Sequence, residues 1–250
     1  DPNLIAVIPK VEDLYFKYLY YYLAYFKLSN ICENAGLPQL NKKDLDPLKF
    51  IYPPIIEQRK IVSILENVDN LIQITQRLIE KLRECKKGLI QRFFTEGIGH
   101  TEFRDSKLGR IPKDWNIKKL SELIVLNPQY RVPEKEDYAY LPMDAIDKEK
   151  MAPNYWKRRT KESLTTTKFK NGDILFAKIT PSTEHGKGAL IKDFNEEIGF
   201  GSTELVVLSP KQGISADYLF YYTKRGSFRN RAVSLMEGAT GRQRVPTFFL

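Results

Sequence analysis

One short segment near the end of the chain combines the side chains that proteins use to contact nucleic acids. Phosphate contact requires Lys or Arg, while base edges are read by bidentate groups such as Arg for guanine and Gln or Asn for adenine. The triplet Arg242-Gln243-Arg244 offers both kinds of group beside Gly241. In an extended segment, Arg242 and Arg244 point to one side and Gln243 to the other. The pattern predicts a DNA-contacting segment, and a plain surface loop is the alternative.

Two further segments carry similar groups. Residues 178–187 form a polar stretch rich in hydrogen-bond donors directly after an apolar run, and residues 156–161 form a dense basic run. A solvated surface is again the alternative for both. The candidate DNA-binding residues are Arg158, Arg159, Lys161, Lys178, Thr180, Ser182, Thr183, His185, Lys187, Arg242, Gln243 and Arg244.

The distribution of charge favours a polyanionic partner. The chain has 40 Lys and Arg against 31 Asp and Glu, a formal charge of +9 at pH 7. Residues 156–250 hold sixteen of the positive side chains and nine of the negative ones, so most of the excess lies there. A basic region of this kind is typical of nucleic-acid binding, although a merely soluble basic surface gives the same count.

The patterns that would indicate catalysis are incomplete. Asn127-Pro128-Gln129-Tyr130 is similar to the Asn-Pro-Pro-Tyr motif of amino-methyltransferases, but its third residue is Gln and no Gly-rich turn for S-adenosylmethionine follows a strand. His185-Gly186-Lys187-Gly188 lacks the Walker spacing and predicts a β-turn. The carboxylates near Lys148 and Lys150 lack the order of a nuclease site and predict a solvated face. We therefore expect no catalytic residue, no metal site and no cofactor.

The composition indicates a globular protein. Hydrophobic residues are 42% and charged residues 28% of the chain, which excludes disorder of the whole chain. No apolar run approaches the ~20 residues that span a bilayer, so we expect no membrane segment. The chain has only two Cys, which excludes a disulfide framework and favours the cytoplasm.

A long helix is the clearest element that could position these segments. Over 57–95, apolar residues recur at spacings of three and four, and a second row recurs every seven residues. Such a helix is roughly 55–60 Å long and carries a broad apolar stripe. The stripe requires a partner, which is a second copy of the chain, another part of the same protein, or another protein. The predicted packing and docking residues are Ile61, Leu65, Val68, Ile72, Ile79 and Leu82.

The second half of the chain predicts a mixed domain. Short apolar runs at 123–126, 173–177, 188–191 and 204–208 predict strands. Residues 215–236 predict one helix, and residues 100–113 predict a polar linker. On that helix an apolar face is predicted for Tyr218, Leu219, Tyr222 and Phe228, and a solvated face for Lys224, Arg225, Arg229, Asn230 and Arg231. The predicted fold class is α+β, a mixed α/β domain plus a long amphipathic helix of the coiled-coil type.

The beginning of the chain is similar to the end of that mixed domain. Residues 3–10 match residues 204–211 in pattern, and residues 18–22 match residues 218–222. A Gly segment follows in both copies, at 36–39 and at 241–244. The recurrence predicts two copies of one domain joined by the long helix, with chance similarity as the alternative. The Tyr run at 18–22 has helical spacing and predicts core packing rather than base stacking.

Five ordered segments of this sequence resemble the specificity subunits of type I restriction–modification systems. The Pro-Pro-x-x-Glu-Gln pattern at 53–58 is similar to the start of that family's conserved helix, and 87–91 to its end. Residues 108–115 are similar to the start of a target recognition domain. Residues 172–177 and 238–246 match two further family segments. Together these segments span most of residues 51–246.

The resemblance implies a fold and a set of partners. It implies two recognition domains held apart by two antiparallel long helices, each domain reading one half of a split double-stranded DNA target. It also implies methyltransferase (modification) subunits that grip the helices and a restriction/translocase subunit in the full complex. In this chain it implies residues 1–54 as the end of a first recognition domain, 55–99 as the spacer helix and 100–250 as a second recognition domain. Only one of the two long helices is expected here, and self-association through helix 57–95 is a further expectation.

Two other functions agree with the same residues. One is a coiled-coil assembly adaptor whose basic surface is incidental. The other is the specificity module of a related fused restriction–methylation system. The favoured prediction is a non-catalytic subunit that recognises a DNA sequence.

Overall fold

The computed structural model describes residues 6–26, 28, 40, 42–239 and 241–249. Its internal contacts divide the chain into two compact units, residues 1–84 and residues 85–250. The division falls within one long helix. Each unit is described separately below.

The first unit is helical in its described part. It contains α1 (Phe16–Tyr25), α2 (Lys42–Leu45) and most of α3 (Ile55–Phe93), which is 39 residues long. The predicted long helix is thus confirmed, with both ends two residues earlier than expected. An unbroken run without Pro and with Glu57 in its first turn allows this length, because the acidic side chain suits the positive end of the helix dipole.

Contacts between α1 and α3 hold this unit together. Lys17 pairs with Glu66, and the Tyr21 hydroxyl donates to Asp69. Tyr18 is buried, with an edge-on contact to Phe50 at a centroid separation of 5.8 Å. Core packing predicted for the Tyr run is therefore confirmed for Tyr18, whereas Tyr20 is 65% exposed and the prediction is wrong there, because its ring points away from α3 and Phe50.

A buried glutamine fixes the start of both helices. Gln58 is fully buried, and its amide nitrogen donates to the carbonyl oxygens of Asp13, at 2.9 Å, and Pro53, at 2.8 Å. Its side-chain oxygen accepts from the backbone amide of Tyr15 at 2.8 Å. Three hydrogen bonds offset the cost of burying this polar side chain, and they join the residue before α1 to the first turn of α3.

The second unit is an α+β domain, and the predicted fold class is confirmed. Its strands are β1 (Phe103–Ser106), β2 (Gly109–Pro112), β3 (Ile124–Leu126), β4 (Asp137–Leu141), β5 (Lys157–Thr160), β6 (Thr167–Phe169), β7 (Ile174–Ala177), β8 (Gly188–Leu190), β9 (Gly199–Gly201) and β10 (Leu205–Pro210). Its helices are α4 (Leu120–Leu123), α5 (Ala216–Lys224) and α6 (Gly226–Ser234), with 3-10 turns at Met143–Ala145, Lys161–Ser163 and Thr247–Phe249.

These strands form a hairpin and two four-stranded sheets. The hairpin is β1-β2, the first sheet has the order β3-β10-β7-β8, and the second has the order β5-β4-β9-β6. All pairs in the first sheet are antiparallel, whereas β4 and β9 in the second sheet are parallel. The four strands predicted from apolar runs are β3, β7, β8 and β10, all in the first sheet.

The first sheet is buried on both faces. Alternate residues such as Leu175 and Val207 pack in a cluster with Leu141 and Phe169 of the second sheet. The residues between them, such as Phe176 and Val206, pack in another cluster with α5 and α6. Burial on both faces explains why β7 and β10 have uninterrupted apolar sequences rather than an alternating pattern. The layers are therefore helices, first sheet and second sheet.

Two sequence predictions about the second unit differ from the structure. The expected linker at 100–113 contains the β1-β2 hairpin, because Ser106 and Gly109 close a tight turn in which the Ser106 hydroxyl donates to the Gly109 carbonyl at 2.6 Å. The single helix expected at 215–236 is two helices, because the backbone of Arg225 leaves the helical region at φ −59° and ψ 138°. Both helices that result pack on the first sheet.

The predicted repeat agrees in its helices only. The helix α1 starts at Phe16 and α5 at Ala216, and the preceding residues, Tyr15 and Ser215, have the same φ of −69° and ψ of 120°. Residues 6–9 form no strand, because no described residue of the first unit supplies a neighbouring strand. Residues 1–5 and the Gly segment at 36–39 lie outside the described residues.

Replacing Gln58 with Leu tests its role at the helix starts. The change leaves the Tyr15 amide and two carbonyl groups without their partner, so we expect α1 to open more easily by roughly 2–3 kcal/mol. Amide hydrogen exchange over α1 measures this opening. The exposed Gln76→Leu substitution on the same helix is the control and should change exchange little. Unchanged exchange in the Gln58 variant would refute the role.

Candidate nucleic-acid interface

The register of the first sheet brings two of the predicted segments together. Leu205 of β10 lies opposite Ala177 of β7, so the residues just outside the strands, Glu204 and Lys178, are also neighbours. The Lys178 amide donates to the Glu204 carbonyl at 3.0 Å. The loop 178–187 therefore starts beside residue 204.

The segment 237–245 packs along this loop. The Thr180 amide and hydroxyl both donate to the Gln243 carbonyl, at 3.0 Å and 3.1 Å, and the Val245 amide donates to the Lys178 carbonyl at 2.8 Å. Arg244 and Glu237 exchange two backbone hydrogen bonds, of 3.0 Å and 2.8 Å. We call residues 178–187 and 237–245 the paired loops. Two of the three segments predicted from sequence are thus one structural feature.

The paired loops present several polar side chains at the surface. His185, Arg242 and Arg244 are exposed, while Lys178, Thr180, Lys187 and Gln243 are half-buried. The Lys187 ammonium donates to the Met143 carbonyl at 3.1 Å, which steadies it without neutralising its charge. This arrangement combines cations with amide and hydroxyl groups.

Arg244 is held by a carboxylate. Its Nε donates to Glu204 Oε2 at 3.0 Å and its Nη2 to Glu204 Oε1 at 2.7 Å. This hydrogen bonding is the main cause that lowers the pKa of Glu204, and Lys178 and Arg242 add to it through their charges. The partner of Arg244 could not be read from sequence, because Glu204 is 40 residues away and lies just before β10.

Two of the residues predicted to contact DNA are buried in the loop 178–187. Thr183 is fully buried and its hydroxyl donates to the Ala177 carbonyl at 2.8 Å, so it holds the loop to the strand before it. Ser182 is also buried, at 8% exposure. The prediction that these two side chains contact DNA is corrected, because they face the interior of the loop.

A half-buried lysine and a buried arginine donate to the loop 178–187. The Lys224 ammonium donates to the Gly186 carbonyl at 2.7 Å, and Arg229 Nη2 donates to the Lys187 carbonyl at 3.3 Å. Arg229 is 6% exposed, and its guanidinium carbon lies 4.2 Å from the centroid of the Phe176 ring. The predicted solvated face is therefore wrong for both residues, because α5 and α6 turn them towards the first sheet.

Burial changes the acidity of these two groups. Desolvation, followed by repulsion from Arg229 and Lys86, lowers the pKa of Lys224 to about 7. Desolvation also lowers the pKa of Arg229 to about 9. Cations are costly to bury unless their donors are paired, so the carbonyl groups of the loop stabilise them and are themselves held in place.

The third predicted segment lies elsewhere, on the edge strand β5. Arg158 donates to both Asp137 and Glu196, and Lys161 pairs with Glu134 at 3.0 Å. The guanidinium carbon of Arg159 lies 3.5 Å from the centroid of the Tyr140 ring. These cations already have protein partners, so the segment is less free to contact a ligand than the paired loops.

The motif that is similar to a methyltransferase site has a structural role. Asn127 has a positive φ of 47°, and its side-chain oxygen accepts from the Val207 amide at 3.0 Å, which extends the pairing of β3 with β10. The Tyr130 hydroxyl bonds the buried Asp173 carboxylate at 2.9 Å. Desolvation raises the pKa of Asp173. The His185-Gly186-Lys187-Gly188 motif forms part of the turn before β8, as predicted.

The apolar stripe of α3 is exposed. Leu65, Val68, Ile72, Ile79 and Leu82 are between 36% and 59% exposed, and Ile61 is half-buried. At 100° per residue, Glu66 and the buried Val62 lie on the side of the helix next to the stripe, and this is the side that α1 covers. Within the described part of the first unit, α1 therefore leaves the stripe open.

Two negative findings concern the described residues only. They contain no group of three or more His, Cys, Asp or Glu side chains placed to hold a metal ion. A search of the same residues found no helix long and apolar enough to cross a membrane.

The fold and the paired loops define an α+β protein whose loop surface combines basic, hydroxyl and amide side chains. Residues 2–84 match the family model described as the type I restriction modification DNA specificity domain. Over 115 residues the chain is 36% identical to the type I restriction enzyme MjaVIII specificity subunit of Methanocaldococcus jannaschii, a match that covers 46% of this chain and 27% of that protein. Over 223 residues it is 30% identical to the EcoAI specificity subunit of Escherichia coli, covering 86% of this chain and 37% of that protein.

A solved structure has the same fold. It comes from work on complex assembly and conformational transition of the type I restriction–modification system, with a TM-score of 0.53 and 14% identity, and the match covers 94% of this chain and 57% of that chain. The chain spans well under half of the length of the curated relatives it matches. Over these ranges the chain is similar to type I specificity subunits, and the resemblance recognised in its sequence is confirmed.

A lysine with a lowered pKa makes stability depend on pH. Between about pH 7 and 10.5 the unfolded chain holds a proton on Lys224 that the folded chain has released, so stability rises with pH in that window. We expect Lys224→Met to remove part of this rise, by at most ~1.4 kcal/mol per pH unit. Urea unfolding followed by the fluorescence of Trp115 and Trp156, both in the second unit, measures it.

The control for this experiment is Lys118→Met, which removes an exposed lysine from the same unit. Its stability should follow the wild-type dependence on pH. A Lys224 variant with the full wild-type rise would contradict the assignment.

Proposed function

We propose that this chain is a non-catalytic subunit that recognises a DNA sequence within a type I restriction–modification complex. The observation that carries the proposal is the pairing of loops 178–187 and 237–245, which collects cations and bidentate groups on one surface. Cations supply affinity for phosphates, whereas Arg and Gln supply contacts to base edges. The similarity to specificity subunits supports the same function.

The proposal assigns parts of the chain to parts of the target. Residues 100–250 act as a recognition domain that reads one part of a split target, and residues 1–54 are the end of a first recognition domain. The paired loops contact double-stranded DNA through Lys178, Thr180, His185, Lys187, Arg242, Gln243 and Arg244. Arg158 and Arg159 on β5, and Lys161 just after it, contribute mainly through their charge, because each already contacts a protein group.

The spacer helix, residues 55–99, provides the docking surface. Its exposed stripe binds the modification subunits, and the restriction/translocase subunit joins the full complex. Two copies of the chain associate through the same stripe when no modification subunit is present. We place this assembly in the cytoplasm, in agreement with the low cysteine content.

A second function follows from the exposed stripe. A chain with an open apolar stripe and an incidental basic surface would be an assembly adaptor. A mobility-shift selection with a random duplex library separates the two functions. An enriched, reproducible half-site supports DNA recognition, and no shift at low salt supports the adaptor.

The salt dependence of binding tests the phosphate contacts. We expect affinity to fall steeply as salt increases, because bound cations release counterions from the DNA. Arg242→Gln should weaken binding to all duplexes alike and reduce the slope of log affinity against log salt by about one. Lys118→Gln, which removes an equal charge outside the paired loops, is the control. Equal affinity at low and high salt would argue against phosphate contact.

The stripe of α3 has its own test. Val68→Glu together with Ile72→Glu places charges on the stripe, and we expect binding to the modification subunits to weaken by more than tenfold because a charge is costly to bury. Sedimentation of the mixed proteins measures the assembly. Gln73→Glu, on the other side of α3, is the control and should assemble normally. Normal assembly of the double variant would exclude the stripe as the docking surface.

A further inference from the structure

The Glu204–Arg244 ion pair lies where the strands and the paired loops meet. Glu204 immediately precedes β10, and its carbonyl oxygen accepts from Lys178 at the start of the loop 178–187. Arg244 lies in the other loop and is bound through its backbone to Glu237. Both ends of the ion pair are therefore fixed by main-chain contacts, so the guanidinium has a defined position at the surface.

The geometry of the pair leaves one edge of the guanidinium open. A guanidinium has five N–H donors, and Glu204 takes the side edge formed by Nε and Nη2. Within the part of the chain that the structure describes, Glu204 is the side chain that pairs with Arg244, which remains 50% exposed. The end edge, formed by Nη1 and the second donor of Nη2, is thus available to an external acceptor pair.

Arg158 illustrates the opposite case on the same unit. Its Nε and Nη2 donate to Asp137, while its Nη1 donates to Glu196. Two carboxylates therefore use all three nitrogens, and the end edge is already occupied. An arginine of this kind stabilises the protein surface, whereas Arg244 keeps a second bidentate edge.

The carboxylate favours a base edge over a phosphate as the acceptor. A phosphate contact depends on net charge, which Glu204 reduces. A base contact depends on the position and plane of the donor fork, which Glu204 fixes. Guanine presents the O6 and N7 acceptors side by side in the major groove, which matches the end edge of an arginine.

We propose that Arg244 reads a guanine in the major groove through its end edge, and that Glu204 is the positioning residue that orients it. This inference rests on the proposed DNA recognition. It adds the base that is recognised, a guanine, and the two residues that recognise it, Arg244 and Glu204. Arg242, which donates to no carboxylate among the described residues, acts on phosphate instead.

Selection from a random duplex library with the full chain tests the proposal. The variants are Arg244→Lys, which keeps the charge and loses the fork, and Glu204→Gln, which keeps the size and loses the carboxylate. We expect Arg244→Lys to lose guanine preference at one position by roughly tenfold or more. We expect Glu204→Gln to reduce the same preference at the same position by a smaller factor. Arg104→Lys in the β1-β2 hairpin is the matched control and should select the wild-type site.

The outcomes separate this inference from the function on which it rests. Loss of affinity that is equal for all duplexes would make Arg244 a phosphate contact and overturn the inference. An unchanged selected site, with a lower thermal midpoint, would make the ion pair a purely structural link and also overturn it. In both cases the proposed function survives, because the wild type still enriches a site. A wild type that enriches no site would remove the proposed function and the inference together.

Discussion

The pairing of β7 with β10 is the constraint on which the candidate interface depends. Both strands are buried on both faces, so a shift of their register by one residue would move large apolar side chains to the wrong layer. The register in turn fixes Lys178 beside Glu204 at the end of the sheet. Apolar packing of the two strands thus positions the polar surface. The hydrogen bonds between the paired loops then hold the two loops in the register that the strands define.

Hydrogen bonds from two basic side chains hold the loop 178–187 in position. Carbonyl groups of the loop accept from Lys224, which is half-buried, and from Arg229, which is buried against Phe176 of the first sheet. Such cations weaken a domain if their donors are unpaired, and Arg229 Nη1 has no hydrogen-bond partner among the described residues. This cost is consistent with a surface in which the position of the loop matters more than the stability of the domain.

Two sides of the helix α3 differ in their contacts: one packs against α1, and one carries the exposed apolar stripe. The side with Gln58, Val62 and Glu66 is used by α1 within the first unit. The neighbouring side carries an apolar stripe that α1 does not cover. Sequence periodicity predicts such a stripe but carries no information about which helix binds it, because any apolar helix face of suitable width satisfies the same pattern.

The sequence by itself determined the features that depend on local periodicity and composition. Spacings of three and four residues were enough for α3, and apolar runs were enough for β7, β8 and β10. The basic segments and the resemblance to specificity subunits were also visible there. Only the tertiary structure decided the break at Arg225, the burial of Thr183, Lys224 and Arg229, and the joining of residues 178–187 to residues 237–245. These features arise from contacts between residues far apart in the chain, and local patterns of side chains do not encode which distant partner each one meets.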